Sequence, residues 1–531
     1  MKLCFYGAAH AVTGSCHCVS ACGHHILIDC GLQQGRDELD NSHLPFAPSL
    51  IDYVIVTHAH IDHSGRLPLL AKHGFQGKIY GSGMTCQLMD IMLRDSAHIQ
   101  ESDAAWENRK GSRAGKSPVE PLYTLQDAEA AIELFHPVHY GEMVELCPGI
   151  SFRLTDAGHL LGSSYVELWI REDGVEKKLV FSGDIGNYDQ PIIRDPQPIH
   201  DADYVIMEST YGDRNHEPPL SYTGELSKIL DDTFRRGGNV VIPAFAVGRT
   251  QELLYFLREI KEQKMVQSLP HFQVVVDSPL AAEATRIFSG DLTGYLDEDA
   301  IAILQRGDHL FHLEDLRLTT TSEDSRQLNE DPTPKVIISA AGMCDAGRIR
   351  HHLKHNLWRP ECTILFVGFQ SPGTLGRSLV EGKRYVRLFG EDVTVNAKIV
   401  NFMGLSSHAD HDHLIAWAQQ FDAPKPTEIF VVHGEDFVSE AFASELRRLG
   451  YSAHAPLFQE EYDLVLGQKI TEGLEQPRKK ASKWQAGSPA YRKLEEAGRQ
   501  LELVIQKNKG GTNKDLAKFT DQLLALIQKW Q

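Results

Sequence analysis

The segment THAHIDHSG, residues 57–65, places three histidines and one aspartate within six positions. It follows IDYVIV, an apolar stretch rich in β-branched residues that predicts a buried strand. Residues two apart on an extended chain face the same way, so His58 and His60 are predicted to reach one metal ion together. Asp62 and His63 lie past the predicted turn and are predicted to point toward a second metal ion. Imidazole and carboxylate are zinc ligands at hydrolytic sites, which favours a metal site over a polar surface loop.

Three further candidate ligands lie beside predicted strands elsewhere in the chain. His159 precedes an alternating strand, Asp184 follows the apolar stretch KLVF, and His433 follows EIFVV. A lone histidine or aspartate at a strand end is more often structural, but together these residues complete two coordination spheres. Because a rigid sheet presents functional loops at its strand ends, the sequence predicts a dinuclear hydrolytic site.

These motifs resemble those of the metallo-β-lactamase superfamily. The resemblance rests on HAHIDHSG, the later GH, SGD and VHGE, and on LIDCGLQQG, which is similar to the first motif of that fold. It implies that Asp29 belongs to the catalytic set as an anchor behind the ligands. It also implies two Zn²⁺ per chain, one held by His58, His60 and His159, the other by Asp62, His63 and His433, with Asp184 bridging them. Metals about 3.5–4 Å apart would hold a bridging hydroxide nucleophile for an in-line displacement.

The long stretch between SGDIG and VHGE predicts a second α/β domain. It includes VIMESTYGDR, GGNVVIPAFAVGRTQELL and KVIISAAGMCDAGRIRHHL, in which apolar strands alternate with helices. This arrangement is similar to the β-CASP branch, the nucleic-acid hydrolases of the superfamily, and the resemblance covers residues 1 to about 465. It implies an α/β fold, a four-layer αββα sandwich with an inserted β-CASP domain. The expected parts are a first metallo-β-lactamase segment at 1–205, the insert at 206–395, a return segment at 396–465 and a basic helical extension at 466–531.

The same resemblance implies an RNA substrate. Members that act on RNA carry histidine at the position of His433, and the chain is similar to ribonucleases related to the endonuclease subunit of pre-mRNA 3′-end processing. The family's acidic motif falls on Glu208 in MESTYG and the next motif on His408 in GLSSHAD. His408, poised by Glu208, would be the general acid to the leaving 3′ oxygen, which gives 3′-hydroxyl and 5′-phosphate products. The alternative to these catalytic roles is a structural one for each residue. Glu208 would cap a helix or pair with Arg214, and His408 would lie on a surface turn.

Three stretches are candidate contacts for RNA phosphates. Small residues after a strand let backbone N–H groups approach an anion, although each stretch is also ordinary turn chemistry. The candidates are Arg249 and Thr250 in AVGRTQE, Ser339 and Gly342 in SAAGM, and Ser371, Gly373, Thr374 and Arg377 in GFQSPGTLGR. The stretch GSRAGKSP has three residues between its glycines and no preceding apolar strand, which excludes a P-loop.

Composition narrows the protein class. Charged residues make up 24% of the chain and hydrophobic residues 42%, as in ordinary globular proteins, and no apolar run has the length of a membrane span. Nine cysteines without a signal peptide argue against a disulfide framework, so a cytoplasmic location is expected. The net charge of −19 argues against electrostatic coating of nucleic acid.

The C-terminal segment differs from the acidic body. Residues 471–531 contain twelve Lys/Arg and seven Asp/Glu, a net charge of +5, which leaves −24 for the rest. Leu516, Phe519, Leu523, Leu526 and Trp530 form an apolar stripe with helical spacing. The stripe is typical of a helix packed on the body, and a homodimer contact or a basic RNA clamp are the alternatives.

The sequence thus predicts a zinc-dependent endoribonuclease acting on single-stranded RNA, without a membrane partner. A 5′–3′ exoribonuclease is a variant of this hypothesis. A small-molecule hydrolase of the glyoxalase II type shares the metal ligands, but the long insert and the Glu208/His408 pair argue against it. An inert RNA-binding scaffold is disfavoured because such chains typically lose metal ligands, and this chain keeps all seven candidates.

Overall fold

The computed structural model describes residues 1–34, 41–112, 115, 117–216, 221–371, 373–402 and 404–475, together with 501, 504–505, 516–520 and 522–523. Met1–Gln476 forms one compact unit and Pro477–Gln531 a second. Among the described residues, no helix combines the length and apolarity needed to cross a bilayer.

The strands of the first unit are β1 Lys2–Phe5, β2 His17–Ala21, β3 His24–Ile28, β4 Tyr53–Ile55, β5 Lys78–Ser82, β6 Phe135–Val138, β7 Val144–Cys147, β8 Ile150–Asp156, β9 Ser164–Glu172, β10 Val175–Phe181, β11 Tyr204–Glu208, β12 Val240–Pro243, β13 Gln273–Asp277, β14 Leu316–Thr319, β15 Lys335–Ser339, β16 Thr363–Phe366, β17 Tyr385–Leu388, β18 Glu391–Thr394, β19 Lys398–Asn401, β20 Glu428–Val432, β21 Ala453–His454, β22 Glu461–Asp463 and β23 Gln468–Thr471. Its helices are α1 Ile61–Ser64, α2 Leu67–Lys72, α3 Gly83–Ser112, α4 Leu125–Ile132, α5 Tyr222–Arg235, α6 Arg249–Glu262, α7 Pro279–Phe288, α8 Glu298–Gln305, α9 Ser322–Glu330, α10 Ile349–Asn356, α11 Leu375–Val380, α12 His411–Ala418 and α13 Asp436–Arg448.

Two large mixed sheets form the body of the molecule. The first has the order β23-β22-β1-β2-β3-β4-β5-β6 and the second the order β21-β20-β11-β10-β9-β8-β7. In the first, β3 through β6 run parallel, and in the second β10, β11, β20 and β21 run parallel. The carboxyl ends of parallel neighbours meet at one edge of a sheet, so the loops that follow these strands lie side by side.

The two sheets pack face to face through an apolar layer. Strand β8 alternates, with Ile150, Phe152 and Leu154 buried in this layer against Phe5 and Phe430 from other strands. Helices cover the outer faces, with α2 and α3 against the first sheet and α12 and α13 against the second. The result is the expected four-layer αββα sandwich.

The insert contains a third sheet, which is parallel throughout. Its order is β14-β13-β15-β12-β16-β19. Alternate residues of β12 face opposite sides of this sheet. Val240 and Ile242 pack toward α5 and α6, and Val241 packs toward α10. Helices therefore cover both faces, as a βαβ pattern requires. The predicted second α/β domain is confirmed.

The last strand of the first unit extends the first sheet. Strand β23, Gln468–Thr471, pairs antiparallel with β22 and lies beyond residue 465. In the second unit, residues 516–520 are helical, in agreement with the apolar stripe that begins at Leu516. The stripe positions 526 and 530, and most of the predicted helical extension at 466–531, lie outside the described residues.

Candidate metal centre

The predicted metal ligands lie at the strand ends of both large sheets. In the second sheet, Asp184, Glu208 and His433 lie at the carboxyl ends of the adjacent parallel strands β10, β11 and β20. In the first sheet, Asp29 directly follows β3 and the His58 segment follows β4. The site therefore forms where the ends of the two sheets meet.

One group of possible ligands consists of three imidazoles and one carboxylate. His60 Nδ1 lies 3.0 Å from His58 Nε2 and 3.3 Å from His159 Nε2. Asp184 Oδ2 lies 3.3 Å from His58 Nε2 and 3.4 Å from His159 Nε2. All four ligand atoms lie within 4.8 Å of one another, a spacing that suits a single ion.

A second group lies on the other side of the same carboxylate. His63 Nε2 and His433 Nε2 are 3.1 Å apart, and Asp62 Oδ2 lies 3.5 Å from His433 Nε2. Asp184 Oδ1 lies 3.2 Å from His63 Nε2 and 3.5 Å from His433 Nε2. Asp184 thus directs one oxygen to each group.

The residues present fit two metal ions. Asp184 is 2% exposed, and its Oδ1 has no hydrogen-bond partner among the described residues. A buried carboxylate oxygen that accepts no hydrogen bond is costly, and a cation between the converging imidazoles would satisfy it. Imidazole and carboxylate together are the ligand types of zinc at catalytic sites.

The electrostatics of the imidazoles agree with this fit. Burial and neighbouring imidazoles lower the pKa of His58 and His159, and that of His60 to about 3. Burial also opposes the charged forms of His63 and His433. Asp184, together with Asp29 at His63 and Asp62 at His433, outweighs burial and raises the pKa of both. The carboxylates that attract a proton here would equally attract a metal cation in its place.

The outer ring nitrogens have partners that orient the imidazoles. Asp29 Oδ2 lies 2.7 Å from His63 Nδ1, and its other oxygen accepts a 2.8 Å hydrogen bond from the Thr57 N–H. The Thr210 hydroxyl lies 3.1 Å from His433 Nδ1. The Ser407 carbonyl lies 3.1 Å from His159 Nδ1. Such partners fix the ring and the tautomer so that the other nitrogen faces the metal.

Thr57, Thr210 and Ser407 were not identified from the sequence. Thr57 directly precedes the histidine run and Thr210 lies in the ESTYG segment, so proximity to the motifs was the only available signal. The Ser407 contact uses a backbone carbonyl, which leaves no trace in residue type.

His408 lies beside the metal groups and contacts Glu208. Its Nδ1 lies 3.2 and 3.3 Å from the two Glu208 oxygens, and its Nε2 lies 3.9 Å from Asp184 Oδ2. Burial alone would lower the pKa of His408, but Glu208 and Asp184 raise it to about 9. Glu208 is fully buried and also accepts a 2.6 Å hydrogen bond from the Ile185 N–H. Arg214 pairs with Asp213 instead, so a Glu208–Arg214 pair is not formed.

The three candidate phosphate-binding stretches lie next to one another. Gln370 Nε2 donates to the Gly342 carbonyl at 3.1 Å, and the Thr250 hydroxyl donates to the Phe245 carbonyl at 2.7 Å. The position of a Cβ on Gly342 would lie 3.3 Å from the Phe245 nitrogen. These contacts join the stretches at the carboxyl ends of β12, β15 and β16.

Several of the candidate side chains are occupied by internal contacts. The Ser339 hydroxyl donates to the Asp277 carbonyl at 2.8 Å, and the Arg377 Nε donates to Glu381 at 2.7 Å. Arg249 pairs with Glu252. Thr374 caps α11 by accepting from the Arg377 N–H. Ser371 and Gly373 lie in the turn before this cap, where Gly373 has a φ of 89°, and phosphate binding by the whole set stays a prediction.

Comparison with known proteins identifies the family. Matches to family descriptions cover residues 11–243 for the metallo-beta-lactamase superfamily, 250–379 for the Beta-Casp domain, and 392–456 for the Zn-dependent metallo-hydrolase RNA specificity domain. Ribonuclease TTHA0252 of Thermus thermophilus is 36% identical over 82% of this chain and 94% of its own length. The chain belongs to the β-CASP branch of the metallo-β-lactamase superfamily.

Two further relatives are named for a role in transcription. Transcription termination factor FttA of Methanosarcina mazei is 31% identical over 83% of this chain and 68% of its own length. The protein of the same name from Methanocaldococcus jannaschii is 30% identical over 85% of this chain and 69% of its own length. The β-CASP assignment confirms the predicted fold and makes the chain a metal-dependent hydrolase.

Proposed function

We propose that this β-CASP protein is a zinc-dependent endoribonuclease that hydrolyses single-stranded RNA. The observation that carries the proposal is the Asp184 carboxylate, which directs one oxygen to each of two ligand groups and lies beside the His408–Glu208 pair. The relative named a ribonuclease and the match to an RNA specificity domain support RNA as the substrate. The proposed metal ligands are His58, His60, His159, Asp184, Asp62, His63 and His433.

The proposed chemistry divides between the metal ligands and His408. When bound, two divalent ions neutralise charge on the phosphoryl oxygens and make the attacking water more acidic. The protonated His408 imidazole donates its proton from Nε2 to the leaving 3′ oxygen, while Nδ1 stays paired with Glu208. Glu208 and Asp184 together raise the pKa of His408 to about 9 despite burial, which keeps this imidazole charged. Departure of the 3′ oxygen gives 3′-hydroxyl and 5′-phosphate ends.

We also propose the domain boundaries given by the sequence. They assign 1–205 and 396–465 to the metallo-β-lactamase domain, 206–395 to the β-CASP insert, and 466–531 to a C-terminal extension. Five strands of the parallel sheet, β12 to β16, lie within 206–395 and support the insert, whereas its edge strand β19 lies just beyond residue 395. Strand β23 lies beyond residue 465 but pairs within the first sheet. In this proposal RNA lies across the strand ends of both domains, next to the three candidate phosphate-binding stretches.

The chemistry of the product ends tests this proposal. We expect fragments that T4 RNA ligase joins without prior phosphatase or kinase treatment, which requires a 3′-hydroxyl and a 5′-phosphate. Chelation of zinc should stop cleavage and added zinc should restore it. A 2′,3′-cyclic phosphate would mean attack by the neighbouring 2′-hydroxyl rather than by water, and would overturn the mechanism.

A further inference from the structure

Four side chains form a series that leads away from the proposed general acid. The ring of Tyr211 lies 6.1 Å from that of His408, and the Arg214 guanidinium lies 4.6 Å from the Tyr211 ring. The same guanidinium lies 5.8 Å from the ring of Phe369, which belongs to the insert. The series therefore connects the metal centre with the β-CASP domain.

The outer part of this series is open to solvent. The side chain of Arg214 is 45% exposed and Phe369 is 48% exposed. Phe245, which follows the neighbouring parallel strand β12, is 51% exposed. A single exposed phenylalanine is ordinary, but two at adjacent strand ends, one stacked on an arginine beside a metal centre, form a surface for a planar apolar group.

The backbone on both sides of the series is fixed. The His411 N–H donates to the Arg214 carbonyl at 3.1 Å, and His216 Nε2 lies 2.9 Å from the His408 carbonyl. In the insert, Gln370 Nε2 donates to both the Gly368 and Gly342 carbonyls, at 3.2 and 3.1 Å. Phe369 lies between these anchored residues, so its ring is presented by a defined loop.

We propose that Tyr211, Arg214 and Phe369 bind the nucleotide on the 5′ side of the scissile phosphate. The inference rests on the proposed function, because His408 protonates the 3′ oxygen of this nucleotide and so defines its side of the site. Its base stacks on the open face of Phe369, and Arg214 donates to its phosphate. Only an unpaired base offers a free face for such stacking, so this subsite selects single-stranded RNA.

The insert supplies a matched control for this subsite. Arg350 lies 5.1 Å from the ring of Phe389, which is 46% exposed and stacks on His351 of α10 at 4.3 Å. This second arginine–phenylalanine pair has the same chemistry, and its phenylalanine is about as exposed as Phe369. The ring contacts of Phe389 in the described part of the chain are with Arg350 and His351 of α10.

The test pairs Phe369→Ala and Phe389→Ala with a single-stranded RNA whose cut site is mapped. An abasic nucleotide is placed in turn one position before, one after and two after the scissile phosphate. For wild type, we expect kcat/KM to fall about tenfold to a hundredfold only for the abasic nucleotide on the 5′ side. On intact RNA, the kcat/KM of Phe369→Ala should be lower than that of wild type by the same factor. The abasic nucleotide on the 5′ side should lower the kcat/KM of this variant no further. Phe389→Ala should behave as wild type.

Three outcomes would overturn the subsite. They are an unchanged abasic penalty in Phe369→Ala, equal effects of the two alanine variants, or a penalty confined to the 3′ side. Melting temperature and zinc content, expected to be unchanged, exclude misfolding as the cause of a loss. Failure of wild type to cut any RNA would contradict the proposed function instead, so the two failures are distinguishable. Arg214→Lys, which keeps charge without the planar stack, should also weaken binding of zinc-free protein to single-stranded RNA.

Discussion

At the scale of single residues, the reaction depends on a proton from His408. We expect His408→Ala to lower kcat about 10²- to 10⁴-fold with unchanged zinc content. Replacing the leaving 3′ oxygen by sulfur should largely restore the rate of this variant, because a thiolate leaves without a proton. The measurement is single-turnover cleavage of the oxygen and sulfur substrates.

His413→Ala is the control for this experiment. His413 lies in α12, just after the loop of His408, and contacts Asp410, which caps this helix, rather than the metal ligands. The His413→Ala variant should cleave both the oxygen and the sulfur substrate like wild type. If sulfur substitution accelerates cleavage by His408→Ala no more than it accelerates cleavage by wild type, His408 does not act as the acid.

Asp29 should control metal affinity without touching the metal. It contacts His63 Nδ1 and the Thr57 N–H and hydroxyl, and its φ of 61° is one that asparagine also adopts. We expect Asp29→Asn to weaken zinc binding about 10- to 100-fold, measured by competition with a chelating dye. Ser15→Ala removes only the 3.4 Å contact to Asp29 and should change affinity little. Equal affinity of Asp29→Asn and wild type would contradict an orienting role.

His454 should make stability depend on pH. Its ring nitrogens lie 3.0 Å from Glu428 and 2.7 Å from Glu460. Burial lowers its pKa, but the two carboxylates outweigh burial and raise it to about 9. A raised histidine pKa stabilises the fold fully below its unfolded value near 6.5, and this stabilisation is lost as pH rises through about 9.

The comparison of wild type with His454→Gln measures this effect. We expect wild type to be more stable by about 2 kcal/mol at pH 6 and by much less at pH 10, from chemical denaturation at both pH values. A difference that is the same at both pH values would show that the charge of His454 does not contribute.

At the scale of elements, the metal loops are held by close backbone packing. A Cβ on Gly31 would lie 1.6 Å from the Asp62 carbonyl oxygen, so Gly31→Ala must displace either the loop after β3 or α1. We expect a loss of about 1–3 kcal/mol of stability and fewer than two zinc ions per chain. Gly83→Ala is the control, because its nearest atom would be the Tyr295 hydroxyl at 3.5 Å. Full zinc occupancy in Gly31→Ala would contradict this account of how the loops are positioned.

Strand ends explain why so much of the site was predictable. Asp184 lies three residues after β10 and His433 directly follows β20, and the last four residues of each strand are buried. Such stretches can be recognised in the sequence because strands with parallel neighbours are buried on both faces. The partners Thr210 and Ser407 come from segments distant in sequence, and no periodicity marks them. The hydroxyls of Thr250 and Ser339 turn toward internal carbonyls. Residue type alone does not distinguish such a hydroxyl from one that faces a ligand.

At the scale of the whole molecule, an acidic chain is proposed to bind a polyanion. The net charge of −19 disfavours binding through general electrostatic attraction. Binding must then come from local features, namely the metal centre, the phosphate candidates and the Tyr211–Arg214–Phe369 subsite. All of these lie at strand ends of the lactamase and β-CASP domains, so the inserted domain is expected to select RNA while the sandwich performs the chemistry.

The central claim is that the two metal groups and His408 together cut RNA internally. The most direct test is cleavage of one single-stranded RNA labelled in turn at its 5′ and 3′ ends, beside the matching DNA. Wild type should release complementary internal fragments from RNA alone, and neither Asp184→Asn nor His408→Ala should do so at a comparable rate. Stepwise release of mononucleotides from the 5′ end would contradict the endonuclease, and intact RNA with fully zinc-loaded wild type would contradict the ribonuclease itself.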